Sequence, residues 1–222
     1  MDGTTNQRGT SEAMFLGVAS SFVAGLFVWW LVSRINSSTV PITKFIDPAA
    51  VSAIADQLPR DEDEFLLSAW ELVGAGVKYD AFGSIVEFRD STVECQNCLL
   101  PDRMLRMSRP HSNCVGKSAL LTSILRTRLP PERVYMVVGA ANVSPRPGGH
   151  AWVTAKRGSE WYILESTVPP SRDLPWHRAE ELSDLYVPEA FVNDYGVFCS
   201  TGGDICKQRE HVQVKGICPC RH

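Results

Sequence analysis

Residues 112–121 read SNCVGKSALL, and this run places a cysteine at the start of an apolar segment. Ser112 and Asn113, which come directly before Cys114, are residue types that favour the N-cap of a helix. The segment after them is apolar almost all round, as is typical of a helix buried between layers. We therefore predict a helix from Cys114 to about Thr127, with the thiol at the positive end of its dipole, where the reactive thiolate is favoured.

Two segments rich in β-forming residues follow, and a turn separates them. The segments are HAWVTA (150–155) and EWYILE (160–165), with the turn over 156–159. A hairpin centred on the Arg157–Gly158 bond places His150 opposite Glu165. The same register pairs Trp152 with Ile163 and Thr154 with Trp161 on that face of the sheet. Opposed Cβ atoms lie roughly 4.5–5.5 Å apart, so the carboxylate can hold the imidazole, whereas a slip of one residue would separate them.

Cys114, His150 and Glu165 give a nucleophile, a general base and a group that orients the base. In the predicted mechanism, His150 takes the thiol proton or shares an ion pair with it, and Glu165 fixes the tautomer of the imidazole. The sulfur attacks an amide carbonyl to give a thioester, and the backbone N–H of Cys114 is one donor to the oxyanion. Each of the three residues alone would more often be structural, so the prediction depends on their joint placement.

Four segments resemble the core of the transglutaminase-like cysteine peptidase superfamily, in which a helix that bears Cys precedes strands that bear His and an acid. They are residues 113–126, 133–139, 150–153 and 161–167, and a fainter similarity extends from about Phe65 to Tyr195. The resemblance implies an α+β, papain-like fold with an antiparallel sheet packed on a central helix, and a Cys-His-acid triad. It also implies hydrolysis or transfer of an amide or peptide acyl group, and the short chain favours hydrolysis. Glu165 stands where the family usually has Asp, and Asn113 where it often has Gly or Asp.

The composition indicates one sizeable core with appendages. The chain has 222 residues, is 44% hydrophobic and carries a net charge of −3. Lys and Arg number 22 against 25 Asp and Glu, so no basic excess points to nucleic acid. The resemblance to cysteine peptidases implies a protein or peptide substrate. The predicted organisation is a disordered tail (1–13), a transmembrane helix (14–32), a linker (33–46), the transglutaminase-like domain (47–197) and a Cys-rich tail (198–222).

An uncharged apolar run from Met14 to Val32 predicts one transmembrane helix, and hence a single-pass membrane protein. As a helix it would span about 29 Å, which matches a bilayer core. A signal peptide and a buried helix are the alternatives, but the run has neither a basic start nor a polar face. The flanking basic residues give a faint preference for a cytoplasmic catalytic domain. A ladder of small residues would allow homodimerisation through this helix, and it consists of Gly17, Ser21 and Gly25.

Seven cysteines leave at least one unpaired in any disulfide scheme, which suits a catalytic thiol. They are Cys95, Cys98, Cys114, Cys199, Cys206, Cys218 and Cys220. The pairs Cys95/Cys98 and Cys218/Cys220 offer four thiolates, enough for a structural zinc ion. Disulfides between the tail and the domain would serve equally in an oxidising compartment, so both alternatives stay open. No cofactor is predicted for the catalysis itself.

The tripeptide Gly116-Lys117-Ser118 invites comparison with a phosphate-binding P-loop. That loop requires a glycine where this chain has His111, and it requires a buried strand that leads into it, which the preceding residues do not predict. We therefore reject nucleotide binding and predict that Lys117 lies on the solvent side of the helix.

The combined prediction is a membrane-anchored thiol enzyme of transglutaminase-like type. The alternative is a catalytically silent, membrane-tethered binding module that a metal ion or disulfide bonds stabilise. Metal analysis and the pH dependence of Cys114 alkylation separate the two, because an activated thiol reacts well below the free-thiol pKa of about 8.5.

Overall fold

The computed structural model describes residues 37–80, 87–89, 92–96, 100–142, 148–168 and 177–199. The chain divides into two compact units, residues 1–38 and 39–222, and nearly all described residues belong to the second. The helices of the described residues are α1 (Pro48–Ala55), α2 (Glu62–Gly76), α3 (Pro101–Leu105) and α4 (Cys114–Arg126), with 3₁₀ turns at Ile42–Phe45 and Pro131–Arg133. The strands are β1 (Ser37–Pro41), β2 (Lys78–Tyr79), β3 (Glu87–Arg89), β4 (Thr92–Gln96), β5 (His111–Ser112), β6 (Val134–Ala141), β7 (Gly148–Arg157), β8 (Glu160–Leu164), β9 (His177–Arg178), β10 (Tyr186–Asn193) and β11 (Gly196–Cys199).

Six strands form an antiparallel sheet in the order β11-β10-β6-β7-β8-β9. Residues of α4 pack with β7 and β8 in one apolar cluster, which includes Leu121, Ile124, Val153 and Leu164. A second apolar layer lies on the other face of the sheet. It consists of residues at alternate positions along strands β6, β7, β8 and β10, and it includes Tyr135, Trp152, Trp161 and Phe191. This arrangement confirms the predicted α+β class, with an antiparallel sheet packed on a central helix. It is consistent with the papain-like fold that the resemblance implies.

Helix α4 begins at Cys114, as predicted, and ends at Arg126. The side chain of Asn113 caps it by accepting a hydrogen bond from the backbone N–H of Gly116 at 3.1 Å. All residues of the helix from Val115 to Leu125 are buried, so it runs through the core as the sequence predicted. The N-cap therefore explains the asparagine at a position where the resembling family often has Gly or Asp.

The hairpin of β7 and β8 forms as predicted, but its register differs from the predicted one. Thr154 pairs with Ile163, and Arg157 pairs with Glu160, because the turn consists of two residues, Gly158 and Ser159. Gly158 has a φ of 60°, which a two-residue hairpin turn requires and glycine adopts without strain. The predicted direct pairs are therefore wrong by two residues.

A displacement by two residues keeps every side chain on its original face of the sheet, whereas a displacement by one would not. Trp152, Ile163 and Trp161 accordingly lie in one apolar cluster, as the predicted alternation requires. Glu165 follows the last residue of β8, and the observed register continued by one pair sets it opposite Trp152. His150 and Glu165 are therefore diagonal neighbours on the same face.

Part of the predicted linker belongs to the core of the second unit. The 3₁₀ turn Ile42–Phe45 and the residue after it bury Ile42, Phe45 and Ile46, which are at most 4% exposed. These three side chains share an apolar cluster with Val115 and with the partly buried Cys114. The spacing of the three apolar residues resembles one turn of a helix, which explains why a short segment buries all of them.

The predicted single-pass membrane localisation is contradicted by the helices of the described residues. None of the helices within those residues is both long and apolar enough to cross a bilayer. The segment Met14–Val32, on which the prediction was based, lies outside the described residues, as does the tail 1–13.

Candidate active site

The thiol of Cys114 stands at the first position of α4, is partly exposed and forms no disulfide. The first turn of a helix leaves backbone N–H groups without intrahelical acceptors, and the dipole adds partial positive charge there. Asn113 takes up the N–H of Gly116 in that turn. The sulfur therefore lies at the electropositive end of a buried helix.

Strand β2 lies beside the residues that lead into the helix. It pairs in parallel with β5, so that Tyr79 is opposite Ser112, and the N–H of Asp80 donates to the carbonyl of Ser112 at 3.0 Å. Tyr79 is 43% exposed. Burial raises the pKa of its hydroxyl, and the negative charges of Cys114 and Glu165 raise it further. The phenol is therefore a protonated donor close to both groups.

Glu165 holds His150 and is itself held by several partners. Its Oε2 is 2.7 Å from Nε2 of His150, and both side chains are 13% exposed. Its Oε1 accepts hydrogen bonds from the backbone N–H and the hydroxyl of Thr167, at 2.8 and 2.6 Å. The hydroxyl of Tyr186 donates to Oε2 at 3.2 Å, and the indole N–H of Trp70 donates to the backbone carbonyl of Glu165 at 2.8 Å. Backbone and carboxylate of this residue are thus fixed from four sides.

The imidazole of His150 makes two polar contacts and two aromatic ones. Glu165 is hydrogen-bonded to it, and Cys114 lies close enough to raise the pKa of the imidazole. Since Glu165 occupies Nε2, Nδ1 is the nitrogen that remains for the sulfur. The ring lies nearly parallel to Trp152 at 6.2 Å between centroids, and Tyr186 lies 6.3 Å away. These contacts define both the tautomer and the orientation of the ring.

The charges of the site favour an imidazolium. Burial lowers the pKa of His150, but hydrogen bonds with Cys114 and Glu165 and their charges outweigh burial and raise the pKa from 6.5 to about 9. Burial likewise raises the pKa of Glu165, but the bonds from His150 and Thr167 outweigh it, and the net direction is downward. At neutral pH the site therefore holds a protonated imidazole between a carboxylate and a thiol group.

The first and last residues of the tripeptide Gly116-Lys117-Ser118 have structural partners. A Cβ atom at Gly116 would lie 1.9 Å from the hydroxyl oxygen of Ser112, so only glycine permits this close approach. The hydroxyl of Ser118 donates to the backbone carbonyl of Ala151 at 3.0 Å. This bond fastens the helix of Cys114 to the strand of His150.

Lys117 is buried, and the prediction that it lies on the solvent side of the helix is wrong. It is 1% exposed, because α4 has no solvent-facing side at this position. Its ammonium group donates to the backbone carbonyls of Gly74 and Val77, at 3.1 and 2.7 Å. Burial lowers the pKa of Lys117 to about 8, while the charge of Glu165 acts in the opposite direction.

The structure thus brings all three predicted site residues together, with Cys114 and Glu165 on either side of His150. Four neighbours that sequence reasoning missed are Tyr79, Lys117, Thr167 and Tyr186. Only Thr167 carried a local signal, since a threonine two residues after an acid is placed to cap its carboxylate. Tyr79 and Tyr186 reach the site through long-range packing. Lys117 belongs to the helix of Cys114 itself, but its burial depends on the carbonyl groups of the distant Gly74 and Val77.

The predicted zinc site has no support among the described residues. Within them, no group of three or more His, Cys, Asp or Glu side chains is placed to hold a metal ion. Cys95 belongs to strand β4, and the other three predicted ligands, Cys98, Cys218 and Cys220, lie outside the described residues.

Comparison with known proteins finds similar solved structures of low sequence identity. A proposed cysteine protease from Cytophaga hutchinsonii has a TM-score of 0.44 and 13% identity, and the match covers 62% of this chain and 44% of that one. LapG of Legionella pneumophila has a TM-score of 0.43 and 15% identity, over 72% of this chain and 90% of LapG. Its calcium-bound form has a TM-score of 0.42 and 15% identity, over 78% and 95% of the two chains.

This chain therefore spans less than half of the Cytophaga protein. No protein-family model matches the chain. No curated protein sequence matches it at a significant level. The chemistry proposed for this chain therefore depends on its own residues.

Proposed function

We propose that this protein is a cysteine peptidase or amidase that transfers the acyl group of an amide to Cys114 and then to water. The observation that carries the proposal is the placement of His150, which is hydrogen-bonded to Glu165 at 2.7 Å and lies close enough to Cys114 for the sulfur to raise the pKa of the imidazole. A binding module without catalysis would have no need for a partly exposed thiol beside an imidazolium that a carboxylate holds. The alternative of a silent module is therefore not favoured.

In the first half-reaction the thiolate of Cys114 attacks the amide carbonyl carbon, and the carbonyl electron pair moves to oxygen. The imidazolium of His150 then gives its proton to the leaving nitrogen, the C–N bond breaks and a free amine departs. The acyl group remains on the sulfur as a thioester. In the second half-reaction the neutral imidazole takes a proton from water, hydroxide adds to the thioester and the thiolate leaves. The carboxylate of Glu165 stabilises the imidazolium in both half-reactions.

The oxyanion of each tetrahedral intermediate needs donors that point at the attacked carbonyl oxygen. The backbone N–H of Cys114 is the first, since it lies at the helix N-terminus without an intrahelical acceptor. Tyr79 is our candidate for the second, because its strand runs beside Ser112 and its hydroxyl stays protonated close to Cys114. Sequence reasoning had identified no second donor.

The proposal is tested by mapping the reactive cysteine in the full chain. The protein is treated at pH 6 with substoichiometric iodoacetamide and, separately, with a peptidyl vinyl sulfone, and the modified residue is located by mass spectrometry. We expect Cys114 to carry the label ahead of the other six cysteines. Amine release from amine-blocked casein then reports hydrolysis, and incorporation of a fluorescent primary amine reports transfer. A folded protein whose Cys114 stays unlabelled would contradict the proposal.

The raised pKa of His150 predicts how the rate of hydrolysis depends on pH. The imidazole is protonated below a pKa of about 9 and loses its proton above it, so the acid that protonates the leaving amine disappears at alkaline pH. We expect amide hydrolysis to fall about tenfold per pH unit above 9. Alkylation of Cys114 needs no such acid and should not fall over the same range. Parallel losses in the two rates would instead indicate unfolding, which circular dichroism would detect.

A further inference from the structure

The C-terminal end of helix α2 packs against helix α4, which carries Cys114. Its last carbonyl groups have no intrahelical donors, and a helix C-terminus attracts a cation. The ammonium of Lys117 provides both the hydrogen-bond donors and the positive charge, because it donates to the carbonyls of Gly74 and Val77. Lys117 lies three residues after Cys114, so the same turn of α4 that presents the thiol also holds the end of α2.

The same side of α2 also holds Glu165. Trp70 and Gly74 are four residues apart, hence on one face of the helix, and Trp70 donates to the backbone carbonyl of Glu165 at 2.8 Å. Beyond its end, α2 continues through Val77 into β2, which carries Tyr79 beside Ser112. Helix α2 therefore contacts the backbone of Glu165 through Trp70, and its end leads to Tyr79.

We propose that Lys117 is a positioning residue of the site, whose buried ammonium locks the end of α2 to α4 and so fixes Glu165 and Tyr79 around Cys114. This inference rests on the proposed function. The positive charge also attracts the carboxylate of Glu165 and thereby favours its ionised form.

The choice of a lysine at this position supports the inference. A fully buried ammonium loses its hydration, and an apolar side chain of similar length usually serves a core as well or better. Methionine would fill the same volume without that loss. The charged group instead lies at a point that connects the helix of the thiol with the helix that contacts the acid.

Two substitutions in the full chain test the proposal. Lys117→Met removes the charge and the donors, and Lys117→Gln removes the charge but keeps an N–H donor group. The measurement is the rate constant for alkylation of Cys114 by iodoacetamide from pH 4 to pH 9, with the modified residue mapped. We expect both variants to fold, the rate at pH 6 to fall about tenfold in Lys117→Met and less in Lys117→Gln, and the acid limb of both profiles to move to higher pH.

A shift of the acid limb in the pH profile of Cys114 alkylation indicates that Lys117 positions the site. A merely structural role would lower the alkylation rate at every pH and leave the limb at its wild-type pH. The titratable groups that face Glu165 are His150 on β7, Tyr186 on β10, Tyr79 on β2 and Lys117 on α4, and only the last is changed.

Lys44→Met, which removes an exposed lysine, is the matched control and should keep the wild-type profile. A wild-type alkylation profile in a folded Lys117→Met protein would overturn the inference. If Lys117→Met does not fold, a wild-type profile in Lys117→Gln would overturn it instead. An unreactive Cys114 in the wild type would instead contradict the proposed function, so the two failures are distinguishable.

Discussion

The Cys114→Ala variant is expected to lose all covalent labelling by a peptidyl vinyl sulfone and all amide hydrolysis, while it keeps its fold. The sulfur is the only atom of the site that forms a bond to the acyl group in the proposed mechanism. The side chain is partly exposed at the edge of an apolar cluster, so removal of one sulfur atom leaves little cavity. The melting temperature should therefore change by no more than a few degrees, about 1 kcal/mol of stability.

Two further variants make this result specific to Cys114. Cys114→Ser keeps the shape of the side chain but replaces the thiol by a hydroxyl, which is far less acidic, and we expect its hydrolysis rate to fall by at least about 10³-fold. Cys206→Ala removes one of the other six cysteines and should leave labelling at Cys114 unchanged. Equal labelling of wild type and Cys114→Ala would mean that another thiol reacts and that the proposed nucleophile is wrong.

Local sequence signals predicted the parts of the site that depend on neighbouring residues. The helix N-cap at Asn113 follows from residue type and from the apolar run after it, and the structure has this bond. The common face of His150 and Glu165 follows from the period of two along strands, and it survived an error of two residues in the register. The turn itself was misjudged, because Lys156 and Arg157 extend β7 and are not part of the turn.

The parts that were not predicted depend on contacts across long stretches of the chain. Trp70 meets Glu165 across 95 positions, and Lys117 meets Gly74 across 43. No periodicity or motif connects such residues, and a lysine on a helix is solvated far more often than it is buried. The register of β2 beside Ser112 likewise arises only when α2 packs against α4. These tertiary contacts bring Trp70, Lys117 and β2 close to the three predicted site residues.

Substitution of Glu165 is expected to give the second large effect, and its size should depend on the length of the side chain. Glu165→Gln removes the negative charge that stabilises the imidazolium, so we expect amide hydrolysis to fall by about 10³- to 10⁴-fold, as when other triads lose their acid. Glu160→Gln, at the opposite end of β8, is the matched control and should keep the wild-type rate.

Glu165→Asp retains the charge and introduces the acid that the resembling family usually has. In this hairpin, however, Glu165 lies diagonal to His150, and diagonal residues are separated by roughly 7–8 Å, against 4.5–5.5 Å for opposed ones. A side chain shorter by about 1.5 Å cannot span that gap and keep the 2.7 Å contact with Nε2. We expect the rate of hydrolysis to fall by about 10- to 100-fold, with the fold intact by circular dichroism. A wild-type rate for Glu165→Asp would show that the carboxylate does not hold the imidazole through this contact, and the diagonal register would then no longer explain the longer acid of this chain.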